Sequence, residues 1–193
     1  MSTKIGVLAS QGAFAEHIIA LKKLDVEAVE VRLPGELKGI AGLIIPGGES
    51  TTISLLMNHY KLMTEITGLA KEGLPIFGTC AGMIMMAKHI HGNSSRSLEL
   101  MDITVKRNAF GRQVDSFETD LAIPALGKKA FPAVFIRAPL IESCEQSVEI
   151  LAKLKDGTIV AVRQEKMLAT AFHPELTDDL RLHRYFLDIV KGK

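Results

Sequence analysis

The 193-residue chain balances 23 Lys and Arg against 22 Asp and Glu, for a formal net charge of +1, and 47% of its residues are hydrophobic. With no basic surplus, no Trp and only 5% aromatic residues, neither a phosphate-tracking stripe nor a base-stacking platform is encoded, so no nucleic-acid partner is expected. No run approaches the roughly 20 apolar residues of a membrane span, and Met1-Ser2-Thr3-Lys4 leads into a strand-like run without a signal core, so a cytoplasmic protein with no membrane partner is expected.

Ile5-Gly6-Val7-Leu8-Ala9 reads as a buried strand, broken at Ser10-Gln11-Gly12. Phe14, Ile18, Leu21 and Leu24 then fall at helical spacing on one face. Val26 to Leu33 alternates with period two and ends at Pro34-Gly35, which completes a βαβ unit and implies a parallel sheet. Gly42-Leu43-Ile44-Ile45 is the third strand. After Pro46-Gly47-Gly48-Glu49-Ser50 a helix starts near Thr51 or Thr52, with Ile53, Leu56, Met57 and Tyr60 inward. The two glycines permit close backbone approach to a ligand, or serve as a plain strand-to-helix turn. Glu65 to Glu72 is helical. Leu74 to Phe77 is a strand, and a helix from Met83 runs to about His91.

The middle is less regular. A polar loop at Gly92-Asn93-Ser94-Ser95-Arg96-Ser97 precedes strands at Asp102 to Lys106, Val114 to Phe117 and Ala133 to Ile136, which suggests an antiparallel extension. Val148 to Leu154 and Thr158 to Val162 flank Asp156-Gly157 as a hairpin. Met167 to Phe172 is the last strand, and Leu180 to Val190 the last helix, with Thr177 or Asp178 as cap. The expected fold is one α/β domain over 1–193. It has three layers, a mostly parallel central sheet with helices on both faces, and a small antiparallel extension.

Gly78-Thr79-Cys80-Ala81-Gly82 joins a strand to a helix by a sharp turn of small residues. This is a nucleophile elbow with sulfur in place of the serine oxygen. It lifts Cys80 clear of the sheet and sets it at a helix N-terminus, which favours thiolate. Cys144, between Ser143 and Glu145 in a polar turn, has no such frame and reads as structural or incidental, and two cysteines make no disulfide framework. His173-Pro174-Glu175 supplies a base and an orienting carboxylate, two residues apart on one side of an extended segment. In a parallel sheet the strand carboxyl ends share one crevice, where Gly47-Gly48, Cys80 and His173 can meet. His17, His59, His89, His91 and His183 read as surface or helix-end histidines, and no pair has supported metal-ligand spacing.

Pro46-Gly47-Gly48-Glu49-Ser50-Thr51, Gly78-Thr79-Cys80-Ala81-Gly82 and Phe172-His173-Pro174-Glu175 together resemble the triad-type (class I) glutamine amidotransferases, whose fold is flavodoxin-like. With Leu8-Ala9-Ser10-Gln11-Gly12, Arg107 to Gln113 and Val134 to Pro139 included, the chain is similar over nearly its whole length to the glutaminase subunit of the two-component pyridoxal 5′-phosphate synthase. The resemblance implies that Cys80, His173 and Glu175 hydrolyse L-glutamine through a γ-glutamyl thioester. It implies an oxyanion hole from the amides of Gly48 and Ala81, and Gly48, Glu49, Ser50, Arg107, Ile136 and Arg137 at the glutamine site. Arg107 or Arg137 would meet the α-carboxylate and Glu49 the α-ammonium. The implied partner is a (β/α)₈-barrel synthase subunit in a large hetero-oligomer, which takes the ammonia and makes pyridoxal 5′-phosphate from a pentose phosphate and a triose phosphate. Gln11 and Gly12 are expected to respond to docking. No metal or cofactor is expected on this chain. A cysteine hydrolase of another α/β family and a non-catalytic regulatory module are the competing readings.

Overall fold

The computed structural model describes residues 3–92, 96–107 and 116–193. Buried apolar runs and amphipathic runs alternate through the first half. They form β1 (Lys4–Leu8), α1 (Phe14–Lys22), β2 (Glu27–Val31), β3 (Gly42–Ile45), α2 (Ser50–His59), α3 (Leu62–Lys71), β4 (Ile76–Thr79) and α4 (Ala81–Met86). Strands then dominate: β5 (Ala87–Ile90), β6 (Met101–Lys106), β7 (Ser116–Leu121), β8 (Phe131–Ile136), β9 (Leu140–Cys144), β10 (Glu149–Lys153), β11 (Ile159–Gln164) and β12 (Met167–Thr170). Helix α5 (Arg181–Val190) follows.

Five strands run parallel in the order β2-β1-β3-β4-β12. Beyond β12 the sheet turns antiparallel through β11, β9 and β6, β5 lies parallel to β6 at the far edge, and β10 pairs with β11. Strands β7 and β8 form a separate antiparallel pair. The mostly parallel sheet with an antiparallel extension is therefore present.

Helices cover both faces, which is why β3 and β4 are buried at every position rather than alternating, with Thr79 as their one polar residue. On the face of Phe77, its ring meets Phe186 of α5 at 5.6 Å and His17 of α1 at 6.3 Å. On the opposite face Gly78 lies against Gly82 and Met86 of α4. Each aliphatic or aromatic side chain sealed between these layers contributes roughly 1.5–3 kcal/mol by leaving water. The small sheet is tied to the rim of the large one: Phe135 packs on Phe172 at 5.4 Å, and the Val134 carbonyl accepts from the His173 amide at 2.8 Å.

Several expectations change. The helix after Cys80 stops at Met86, and residues 87–90 pair with β6 as a strand. Leu24 lies past the end of α1, and Tyr60 ends α2 with 43% exposure instead of facing inward. Cys144 is the last residue of β9, paired with Ile103, not part of a turn. Neither Thr177 nor Asp178 caps α5; the Asp179 carboxylate accepts from the Arg181 amide at 3.1 Å. Residues 114 and 115 of the expected strand at Val114 to Phe117 lie outside the described residues, as do 93–95 of the polar loop and 108–113 of the Arg107 motif.

Candidate active site

Four strand ends face one crevice. Gln11-Gly12 follows β1, Gly47-Gly48 follows β3, Cys80 follows β4 and His173 follows β12. The strand order reverses between β1 and β3, the topological switch point at which open α/β sheets bind ligands.

Cys80 occupies a strained turn, with φ 51° and ψ −106°. A non-glycine residue held there costs about 1–3 kcal/mol, which the surrounding packing must supply. The packing is visible at the two flanking glycines. A Cβ on Gly82 would run into the Ile45 carbonyl oxygen, and one on Gly78 would sit 2.6 Å from the Gly82 carbonyl and from the Met86 sulfur. The Cys80 amide is anchored to the Thr170 carbonyl at 2.8 Å, so β12 fixes the turn directly. Cys80 is 7% exposed, and its thiol lies 3.9 Å from the Ile136 carbonyl oxygen.

His173 is also 7% exposed, and its Nδ1 lies 2.7 Å from Glu175 Oε1. The route to that contact differs from the extended segment expected. Pro174 opens a 3-10 turn, Pro174–Leu176, and the turn rather than a strand register brings Glu175 under the ring. Gly47 closes the other side: a Cβ there would collide with His173 Cε1 and lie 3.3 Å from Cys80 Cβ. Burial works against charge on His173, but its interactions with Cys80 and Glu175 outweigh burial and push its pKa up to about 10. An imidazolium facing the sulfur is the protonation state that favours thiolate.

Glu49 caps α2. Its carboxylate accepts from the Thr51 amide at 3.0 Å, the Thr52 amide at 2.7 Å and the Thr52 hydroxyl at 2.7 Å. The Thr52 hydroxyl bond is the largest cause of its pKa falling to about 2. Arg107 Nη2 pairs with Glu49 Oε1 at 3.2 Å, so these two charges satisfy each other here. Ser50 is buried as the first residue of α2, whereas Gly48, Ile136 and Arg137 are exposed at the crevice mouth. Arg137 turns the chain just past β8 at φ 44°. Ala81 is the first residue of α4, where an amide has no partner within the helix. Gln11 Oε1 accepts from the Glu49 amide at 2.8 Å, and a Cβ on Gly12 would fall on the Gly47 carbonyl oxygen. The first loop thus rests directly on the Gly47-Gly48 loop. No group of three or more His, Cys, Asp or Glu among the described residues is placed to hold a metal.

The sequence matches the SNO glutamine amidotransferase family over residues 7–191. The chain belongs to that family. It is 60% identical over 190 residues to the pyridoxal 5′-phosphate synthase subunit PdxT of Dehalococcoides mccartyi, covering 97% of each chain. It is also 60% identical over 187 residues to the subunit of that name from Moorella thermoacetica, covering 97% of this chain and 99% of that one. A crystal structure of a glutamine amidotransferase superposes with a TM-score of 0.92 at 51% identity, over 97% of this chain and 98% of the other. The structure of PurLQS from Thermotoga maritima shares the fold, with a TM-score of 0.69 at 17% identity over 97% of this chain and 99% of the matched one. The resemblance read from the motifs is thereby borne out, and with it an enzyme of the glutamine amidotransferase kind.

Two residues beside this family site were misread from sequence. His17 and His183 are 0% exposed, not at the surface, and His17 Nε2 lies 3.4 Å from Glu175 Oε2. Their spacing carried the signal. His17 falls three residues after Phe14 and four before Leu21, and His183 falls three before Phe186 and four before Leu187, both on inward stripes. His59, His89 and His91 are exposed as expected.

Proposed function

We propose that this chain is the glutaminase subunit of a pyridoxal 5′-phosphate synthase. As one domain, 1–193, it hydrolyses L-glutamine to L-glutamate and ammonia and passes the ammonia to a synthase subunit. The observation that carries the chemistry is the meeting of Cys80 with the hydrogen-bonded His173–Glu175 pair beneath Gly47. The kinship to pyridoxal 5′-phosphate synthase subunits supports the pathway.

The Cys80 thiolate attacks the side-chain amide carbon of glutamine, and the C–N bond breaks as His173 gives its proton to the leaving ammonia. The γ-glutamyl thioester on Cys80 is then hydrolysed by water that His173 deprotonates, which breaks the C–S bond, releases glutamate and restores the thiolate beside protonated His173. Glu175 keeps Nδ1 of His173 as the donor, so that Nε2 serves the sulfur and the leaving group. The amides of Gly48 and Ala81 meet the oxyanion, and each such donor typically contributes ~3 kcal/mol in the transition state. Glutamine enters with its α-carboxylate toward Arg107 or Arg137 and its α-ammonium toward Glu49, which exchanges its pairing with Arg107 for the substrate. Ser50 and Ile136 complete the lining.

Ammonia released into neutral water becomes ammonium and loses its nucleophilicity. Productive turnover therefore calls for docking on the acceptor enzyme, a (β/α)₈-barrel subunit in a large hetero-oligomer that joins the nitrogen to a pentose phosphate and a triose phosphate. The Gln11 contact to the Glu49 amide is the lever by which docking at the β1 loop reaches the Gly47-Gly48 loop. Glutamate release measured with and without that synthase subunit tests the reading. Release is expected to rise with the subunit and to vanish in Cys80→Ala. Release that ignores the subunit contradicts the pathway, and release that survives Cys80→Ala contradicts the nucleophile.

A further inference from the structure

Two buried histidines lie behind the triad and take no part in the steps above. His17 of α1 and His183 of α5 are sealed against the edge of Phe77, whose ring lies 6.3 and 6.2 Å from theirs. His183 Nε2 is 3.0 Å from His17 Nδ1. His17 Nε2 is 3.2 Å from Thr79 Oγ1, on the residue before the nucleophile, and 3.4 Å from Glu175 Oε2. The other oxygen of that carboxylate holds His173. Among the described residues, Glu175 Oε2 and His183 Nδ1 have no hydrogen-bond partner.

Proton counting distinguishes two arrangements. Burial lowers the pKa of both rings, His17 well below its ordinary value and His183 to about 4, so each ring is neutral and carries one N–H. In one arrangement His17 donates from Nδ1 to His183. The His17 Nε2 lone pair then accepts from the Thr79 hydroxyl but also faces a carboxylate oxygen, and His183 must carry its hydrogen at Nδ1, which has no hydrogen-bond partner among the described residues. A stranded buried N–H is among the rarest states in folded proteins. In the other arrangement His183 donates from Nε2 to His17 Nδ1, and His17 carries its hydrogen at Nε2, toward Thr79 Oγ1 and Glu175 Oε2. His183 Nδ1 is then left as an unpartnered lone pair rather than a fixed N–H, and the Thr79 hydroxyl, now an acceptor, can rotate its own hydrogen away from the ring. The second arrangement also gives the buried Glu175 Oε2 a donor to face. At 3.4 Å this is an electrostatic contact and not a hydrogen bond; the hydrogen bond of that N–H goes to Thr79 Oγ1.

We infer that His17 is a positioning residue for the glutaminase reaction. His183 sets its tautomer, and its Nε2–H faces Glu175 Oε2, fixing the carboxylate plane so that Oε1 keeps hold of His173. The chain of contacts thus runs from α5 through α1 to the base and ends at Cys80. Helix packing and the orientation of the base become one structural property.

This inference rests on the roles given above to Cys80, His173 and Glu175, and the experiment separates the two. Glutamate release by the synthase complex is measured for His17→Phe, His17→Gln and Cys80→Ala. His17→Phe fills the space without a donor and is expected to lower kcat on the order of tenfold at unchanged KM. His17→Gln restores an N–H and is expected to recover most of the loss. In parallel, nitrogen-15 spectra of histidine-labelled full chain read the tautomers directly, and Nε2–H is expected at both His17 and His183. A folded His17→Phe with full kcat beside an inactive Cys80→Ala overturns the inference alone, and so does an Nδ1–H tautomer at His17. An active Cys80→Ala overturns the triad and this inference with it. If His17→Phe fails to fold, the tautomer of the unaltered chain still decides.

Discussion

Glu49 shows how one side chain can be read in two ways that a pair of measurements separates. Its carboxylate caps α2 through the Thr51 and Thr52 amides and pairs with Arg107. The Arg107 and Glu49 side chains are 27% and 49% exposed, so as a structural contact the pair contributes under about 1 kcal/mol. As part of a glutamine site, Arg107 matters for binding. Arg107→Ala is expected to leave urea stability within about 1 kcal/mol of the parent. The same change should raise KM for glutamine on the order of tenfold, as loss of a charged hydrogen bond would. An unchanged KM would reduce Arg107 to a surface partner of Glu49. At this scale the meeting of Cys80 with His173 and Glu175 was legible because Cys80 and His173 stand in short, unusual motifs. The buried histidines were not, because a titratable ring on an apolar stripe declares its burial only through the partner that satisfies it, and for His17 that partner lies 166 positions away.

At the scale of elements, the elbow is held by what its glycines exclude. Gly82→Ala would drive a methyl group into the Ile45 carbonyl and push β3 away from α4, a backbone collision that no rotamer relieves. A loss of about 3 kcal/mol or more in unfolding free energy is expected, with loss of activity at the neighbouring Cys80. A Gly82→Ala chain of parental stability would show that the turn relaxes freely. The parallel βαβ units were readable from short apolar runs set between amphipathic ones. Residues 87–90 were not, since Ala-Lys-His-Ile has no strong period and its strand state depends on pairing with β6 rather than on local pattern. Strand β9 escaped for a similar reason: Leu140 to Cys144 carries mixed polarity, and its place is decided by β6 on one side and β11 on the other. The same holds for the His173–Glu175 contact, whose residues were legible although its geometry, a 3-10 turn opened by Pro174, was not.

For the whole molecule, the buried imidazoles set opposing pH limits on stability. His183 has its pKa lowered by burial from 6.5 to about 4, and His17 is lowered too. Between those values the unfolded chain binds protons that the folded chain refuses, so stability falls as pH drops from about 6.5 toward about 4. His183 alone accounts for roughly 3 kcal/mol over that window. His173 acts in the other sense. Its pKa is raised, so the stability it contributes is complete below 6.5 and is lost as pH rises toward about 10. Urea unfolding across this range should show a maximum near neutrality, and His183→Gln should flatten the acid side. A profile that stays level from pH 7 to pH 5 would mean that these rings are protonated in the fold. Because helices α1 and α5 meet through the His17–His183 contact, acid would loosen the base's support along with the core.

The most direct measurement is the mass of the Cys80 peptide after rapid acid quench of the synthase complex turning over glutamine. A γ-glutamyl thioester predicts a mass gain of one glutamyl group on the peptide bearing Cys80, removed by hydroxylamine and absent from Cys80→Ala. Glutamate formed at a steady rate by a complex whose Cys80 never carries the adduct, even when His173→Asn is used to slow its hydrolysis, would contradict a covalent role for the thiol.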